Sequence, residues 1–269
     1  LKDQDFNRCV REFGSFGDVE DQVFNANMGE SHVLVGLTND GKYLKDEAQI
    51  VVPHNDSVNE VFLLANYLSD QDEKQLYKKS FAEKVEFLRN KEVRPRLNPE
   101  VYQKILSAEI LIYGPGTQSS SLFPTYLTKG LVETIAKNQT AEKIFVSNII
   151  KDHDIIQDSI NSLVQKFLFY SSSKGEGKNK LEIKNEDILT KFFFQIPQEI
   201  EKHLNFDSEN FPFSKETIRW MDWELKEGQH AQSLLSDEIM AIIQTKSSKK
   251  LQGHHHLVSI IVPALKKKT

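Results

Sequence analysis

Cysteine is almost missing from this chain. Cys9 stands alone among 269 residues, so no intrachain disulfide can form and cysteine-based zinc motifs are excluded. Such usage fits a reducing compartment, and a cytoplasmic location is expected. Long apolar runs are missing as well, and no stretch approaches the roughly 20 apolar residues of a membrane-spanning helix. Nor does one sign of charge dominate: 34 basic against 39 acidic residues leave a formal charge of −5, which gives no support to nucleic-acid binding. What is present is 39% hydrophobic residues, enough for a core in one or two domains.

The chain is organised around residues 108–150, AEILIYGPGTQSSSLFPTYLTKGLVETIAKNQTAEKIFVSNII. Glu109 to Tyr113 is a short apolar run stopped by Gly114, which reads as a buried strand. Gly114-Pro115-Gly116 then turns the chain into Thr117, Gln118, Ser119, Ser120 and Ser121. Leu122, Tyr126, Leu127, Leu131 and Ile135 recur at helical spacing, and Lys143 to Ile149 is a second β-prone run. Strand, glycine loop, helix and strand make a βαβ crossover of a parallel sheet.

Open parallel sheets bind ligands beyond the carboxyl ends of their strands, and a helix starting there presents unpaired N–H groups and a dipole that favours an anion. Gly116 is expected to allow close backbone approach to a phosphate, with Thr117 and one or more of Ser119, Ser120 and Ser121 donating to its oxygens. The plainer alternative is a tight turn whose hydroxyl residues cap the helix. No Walker-type glycine–lysine run is present.

These motifs resemble the CofD-like family, which includes the 2-phospho-L-lactate transferases and the YvcK-type gluconeogenesis factors. Its pattern of Ala-Asp, an apolar strand, GPGS, a proline and a later Cys-Asn pair is matched by Ala108-Glu109, Gly114-Pro115-Gly116-Thr117, Pro124 and Ser147-Asn148. Upstream, Val33 to Lys42, Glu47, Ile50 and Asn59 to Leu63 follow in the family's order. The resemblance covers about residues 9–150. It implies an α/β, Rossmann-like parallel sheet with flanking helices, and a transferase moving a phospho-group from a nucleotide-linked donor to an alcohol. A nucleotide-sugar-binding regulator without turnover is the alternative it implies. The expected ligand is a nucleotide-linked or phosphorylated small molecule, held by Gly114, Pro115, Gly116, Thr117, Ser119, Ser120, Ser121 and Asn148. A magnesium ion is the implied cofactor, its ligands expected upstream. The family's first glycine-rich loop is not found and residue 1 is not Met, so the reading is of a family fold truncated at its N-terminus.

The remaining segments are placed around that unit. Phe6, Val10, Phe13 and Phe16 predict a helix docked by its aromatic face. His32–Thr38 and Tyr43–Val52 predict a hairpin, and Asn59–Leu64 a strand. A single charged helix, inserted at about 69–90, starts at Ser69, and another starts at Asn98-Pro99. His54 lies in a polar turn, and Arg94 and Arg96 are expected to pair with nearby glutamates. Asp152 and His153 are second-rank ligand candidates at the crevice mouth, with Asp158 capping a helix of which Ile160, Leu163, Val164 and Phe167 form the stripe. Residues 1–170 are assigned to the α/β domain. Residues 171–269 are read as a mainly helical extension, beginning with a surface loop over Ser171–Lys180. Within it Leu189–Ile196 is strand or buried helix, and Leu257–Leu265 a final strand or the start of another domain. His254, His255 and His256 are adjacent and cannot all ligate one ion from a regular element.

Overall fold

The computed structural model describes residues 6–17, 22–52, 56–148, 158–174, 183–195, 207, 209–221 and 257–260. Its first half is built on alternation in one strand. Helix α1 (Phe6–Ser15) precedes strands β1 (Val33–Thr38) and β2 (Tyr43–Leu44), joined by a turn in which Gly41 takes φ +81°. The predicted second strand ends early because the Asp46 carboxylate accepts from the Gln49 N–H at 2.9 Å, capping a short helix, α2 (Glu47–Ile50). A local side-chain cap has outcompeted β-propensity. Strand β3 (Val58–Leu64) pairs antiparallel with β1, giving the order β2-β1-β3.

Side chains alternate across β3. Val61 and Leu63 join the main core, whereas Phe62 and Leu64 join a second core with Leu76 and Leu88. Those leucines come from two helices rather than the single predicted one: α3 (Asp70–Tyr77) and α4 (Phe81–Lys91). The break falls where Ser80 starts a new helix, its N–H and hydroxyl both donating to the Glu83 carboxylate. Ser69 caps α3 and Asn98 caps α5 (Pro99–Ser107), as the sequence predicts. The aromatic face of α1 does not dock; Phe13 and Phe16 are exposed. That helix is held instead by Asn7 donating to the Asn27 carbonyl at 3.2 Å and by an Arg11–Glu100 ion pair.

The second half is a parallel sheet. Strand β4 (Ile110–Tyr113) leads through the glycine loop into a π-helical turn (Gln118–Leu122) and α6 (Phe123–Tyr126). The predicted continuous helix is interrupted at Gly130, φ +89°, before α7 (Leu131–Lys137). Strand β5 (Glu142–Val146) lies parallel to β4, from Ile110↔Glu142 to Tyr113↔Phe145. Then follow α8 (Ile160–Leu168), a second π-helical turn (Phe169–Ser173), α9 (Asn185–Ile188), β6 (Lys191–Gln195), β7 (Ile218–Met221) and β8 (Leu257–Ile260). All five strands are parallel, in the order β7-β6-β5-β4-β8.

Two expectations for the C-terminal part change here. The Leu189–Ile196 run resolves as strand, because Phe192 and Phe194 enter the main core while Phe193 is buried on the other face. Such two-sided burial is what a parallel strand provides. Residues 218–221, predicted helical, are strand as well, so the described part of this region widens the sheet. Residues 222–256, with His254, His255 and His256, lie outside the described residues, as does His54.

Strand β3 is an edge strand; the Leu63 carbonyl accepts from the Val93 N–H at 2.8 Å, and the outer groups at Val58 and Val61 are met by side chains from one helical stripe. Lys166 Nζ donates to the Val58 carbonyl and Lys174 Nζ to that of Val61, both at 2.7 Å, and the Val61 N–H donates to the Tyr170 hydroxyl at 2.7 Å. Lys174 also lies 2.6 Å from Glu60, 3.0 Å from Glu92 and 3.7 Å from the centre of the Phe62 ring. The predicted Ser171–Lys180 surface loop is thereby corrected over residues 171–174: Ser171 and Lys174 are buried, because the lysine's reach to the β3 edge pulls the chain inward.

Candidate functional site

Two adjacent parallel strands, β4 and β5, end side by side and supply the site. Beyond β4 the chain turns through Gly114, Pro115 and Gly116, the last at φ +151°, a conformation that side chains disfavour. Beyond β5, Ser147 still continues the ladder by donating its N–H to the Phe193 carbonyl at 3.0 Å. Asn148 then turns its side chain back across the strand ends. Its Oδ1 accepts from the Gly116 N–H at 2.9 Å and its Nδ2 donates to the Gly116 carbonyl at 3.1 Å. One buried amide therefore grips both polar groups of one glycine. Gln118, also buried, adds a longer bond from Nε2 to the same carbonyl at 3.4 Å.

The hydroxyl residues divide into two sets. Thr117 and Ser121 are half-buried, and their hydroxyl oxygens lie 2.8 Å apart. Only one hydrogen fits between two oxygens at that distance, so the other hydroxyl retains a hydrogen to donate. Ser119 and Ser120 are buried. The π-helical turn and α6 run continuously over residues 118–126, so the N–H groups at this start are those a helix leaves unbonded by its own turns. Beneath the loop, Tyr113 and Tyr126 pack edge-on against Phe167, and Phe123 stacks on Tyr170 at 4.4 Å. Burial pushes the phenols of Tyr113 and Tyr126 well above their usual range, so the floor is neutral as well as rigid.

Of the predicted site residues, the structure brings together Gly114, Pro115, Gly116, Thr117, Ser121 and Asn148 at the strand ends. Ser119 and Ser120 belong to the loop and are buried, and Asp152 and His153 lie outside the described residues. Asp158 does not cap α8; Ser159 does, accepting from the Ser162 N–H at 3.1 Å. The Asp158 carboxylate is instead fixed by Lys166 at 2.8 Å and by the hydroxyls of Ser57 and Ser162. Sequence reasoning missed Gln118, which a polar residue between glycine and a helix would have flagged. It also missed the stripe of Lys166, Tyr170 and Lys174, although spacings of four and eight put these residues on one helical face.

The sheet is a parallel, Rossmann-like α/β sheet, and the glycine loop and helix start lie where the strand order reverses beside β4. A profile of the family described as 2-phospho-L-lactate transferase CofD matches residues 1–215, and the chain belongs to this family. Among curated proteins, the uncharacterized protein YNL011C of Saccharomyces cerevisiae is 25% identical over 118 residues, covering 41% of this chain and 27% of that protein. The chain thus aligns with about a quarter of that relative's length. Among solved structures, protein BH3568 of Bacillus halodurans, described as a member of the UPF0052 family, superposes with a TM-score of 0.61 at 17% identity, covering 88% of this chain and 67% of that one. That likeness concerns the fold.

Proposed function

We propose that the chain carries the phosphate-holding loop of a CofD-like transferase site, which moves a phospho-group from a nucleotide-linked donor to an alcohol. The observation that supports this most is the Gly114–Ser121 loop, clasped by Asn148 across the ends of β4 and β5 in a chain of this family. The loop would hold phosphate oxygens against the helix start and the Thr117–Ser121 hydroxyls. Donors fixed before the reaction stabilise charge as it develops on those oxygens. Among the described residues no group of three or more His, Cys, Asp or Glu side chains comes together, and the loop offers only amides and hydroxyls. The described donor set does not fit the magnesium ion that the family resemblance implies.

A second reading, binding of a nucleotide sugar without turnover, is favoured by that same lack of ionisable side chains within residues 114–121 and 147–148. Calorimetry with guanosine and uridine diphosphates on the wild type, Gly116→Val and Thr117→Ala tests both. Loss of a hydroxyl donor to a charged oxygen should weaken binding about ten- to hundredfold, and the β-branched side chain should abolish it. If both variants bind like wild type while melting earlier, the loop is a structural turn. Turnover of a nucleotide-linked donor in the presence of an alcohol separates transferase from regulator.

A further inference from the structure

The two hydrogen bonds between Asn148 and Gly116 do more than join two strand ends. A single planar amide meets the N–H and the carbonyl of one residue at 2.9 and 3.1 Å. Gly116 needs this restraint. Its φ of +151° belongs to a region where glycine has much conformational freedom to lose, and Gly114 and Pro115 give the turn no further side-chain anchor. Asn148 is itself 7% exposed, and both ends of its amide already bond Gly116, so only one N–H and one oxygen lone pair remain, on a buried side chain. The Gly116 N–H is likewise taken, so the anion must be met by the helix start and by the Thr117–Ser121 pair.

We propose that Asn148 is a positioning residue of this site: it acts through Gly116, holding the loop so that the helix start and the Thr117 hydroxyl face the crevice, and it does not touch the ligand. This rests on the loop being the ligand site, but its first test does not.

An Asn148→Asp variant makes the clasp switchable. Its ionised carboxylate cannot donate to the Gly116 carbonyl and sets a charged oxygen against that carbonyl oxygen, which pushes the side chain off the glycine and opens the clasp. Its protonated carboxyl can both accept from the Gly116 N–H and donate to the carbonyl. Hydrogen exchange at the Gly116 amide, read by NMR as a protection factor relative to the intrinsic rate at each pH, should therefore be high in the wild type at all pH values. It should fall about tenfold or more in Asn148→Ala, and in Asn148→Asp it should be low at pH 7 and recover at pH 4.5. A merely space-filling side chain would show no such recovery. Protection of β5 amides serves as the control that each variant is folded; if Asn148→Ala does not fold, the aspartate variant alone decides. Unchanged Gly116 protection in the folded variants would overturn the proposal.

The second arm titrates inorganic pyrophosphate and guanosine diphosphate into the wild type and Asn148→Ala. Binding about tenfold weaker in the variant is the expected result, equivalent to about 1.4 kcal/mol. Tighter binding would mean that the asparagine competes with the anion for the Gly116 N–H, and would overturn the positioning role. If neither ligand binds the wild type while the exchange pattern holds, the loop's assignment as an anion site fails and the clasp stands.

Discussion

Lys174 holds a charge where there is little water. Glu60 and Glu92 face its ammonium, and Arg89 forks onto the other side of Glu60 at 2.9 and 3.1 Å. Burial pushes the ammonium's pKa below its usual value, against the pull of Glu92 and Glu60 in the opposite direction. Removing one partner from such a cluster leaves uncompensated buried charge. Lys174→Met should therefore destabilise by about 3–5 kcal/mol, read as a lower urea midpoint, and adding Glu92→Gln should return part of that loss. Gly130 poses the opposite case. A Cβ there would meet nothing within 4 Å, yet φ is +89°, so Gly130→Ala should cost about 1–2 kcal/mol through backbone strain alone. A crystal structure of that variant should show no side-chain rearrangement around it.

Helix starts decide much of the first half of the molecule. Asn98 accepts from the Glu100 N–H at 2.9 Å and donates to the Asn25 carbonyl at 3.1 Å while buried. Ser69 caps α3 at an exposed site, accepting from the Asp72 N–H at 3.1 Å. Asn98→Ala should therefore cost about 2 kcal/mol and Ser69→Ala about 1 kcal/mol, measured by denaturant titration. Acid should act at the same places. Hydrogen bonds from Lys91 and Ser69 hold the Asp72 carboxyl below its usual range, as Ser80 does for Glu83 and the Lys184 N–H for Asp187. Because these folded-state pKa values lie below the unfolded ones, their contribution is complete above about pH 4.5 and disappears as pH falls through the folded values. Stability should thus be flat from pH 7 to 5 and drop below pH 4, with the drop reduced in a Ser80→Ala variant whose Glu83 keeps the backbone donor but has lost the hydroxyl. The Ser69 and Asn98 caps were legible in sequence because each is a contact within three residues, whereas the equally local caps of Asp46 and Ser80 lay inside a predicted strand and a predicted single helix. The βαβ unit was legible for the same reason, as local periodicity ended by glycine. What the sequence left open depended on distant partners. The Phe192–Phe194 run could not be assigned until β5 and β7 lay on either side of it, and the exposed face of α1 has the same spacing as a buried one. Asn148 was recognisable as a site residue, but its role as a clasp needs Gly116, 32 positions away.

At the scale of the whole molecule, the alternation of β3 creates two cores on opposite faces of the small sheet. Phe192, in the main core, and Leu88, in the other, share no cluster, so Phe192→Ala and Leu88→Ala should each cost about 3–5 and 2–5 kcal/mol. Their combined loss should be additive within about 0.5 kcal/mol; coupling beyond that in a double-mutant cycle would show strain passing through the sheet. The covered edge of β3 has a further consequence, which concerns how the chain is made. Residues 58–64 leave the ribosome roughly 100 residues before Lys166, Tyr170 and Lys174, the separations being 108, 109 and 113 positions. For that interval of synthesis the Val58–Val61 part of the strand offers unpaired carbonyl and N–H groups beside apolar side chains, a template on which strands of separate chains add to one another. A nascent fragment ending at residue 157 should form oligomers on size exclusion that the full chain does not. Supplying residues 158–174 in trans as a peptide should suppress them, because the stripe that closes the edge is the last part of that half to arrive.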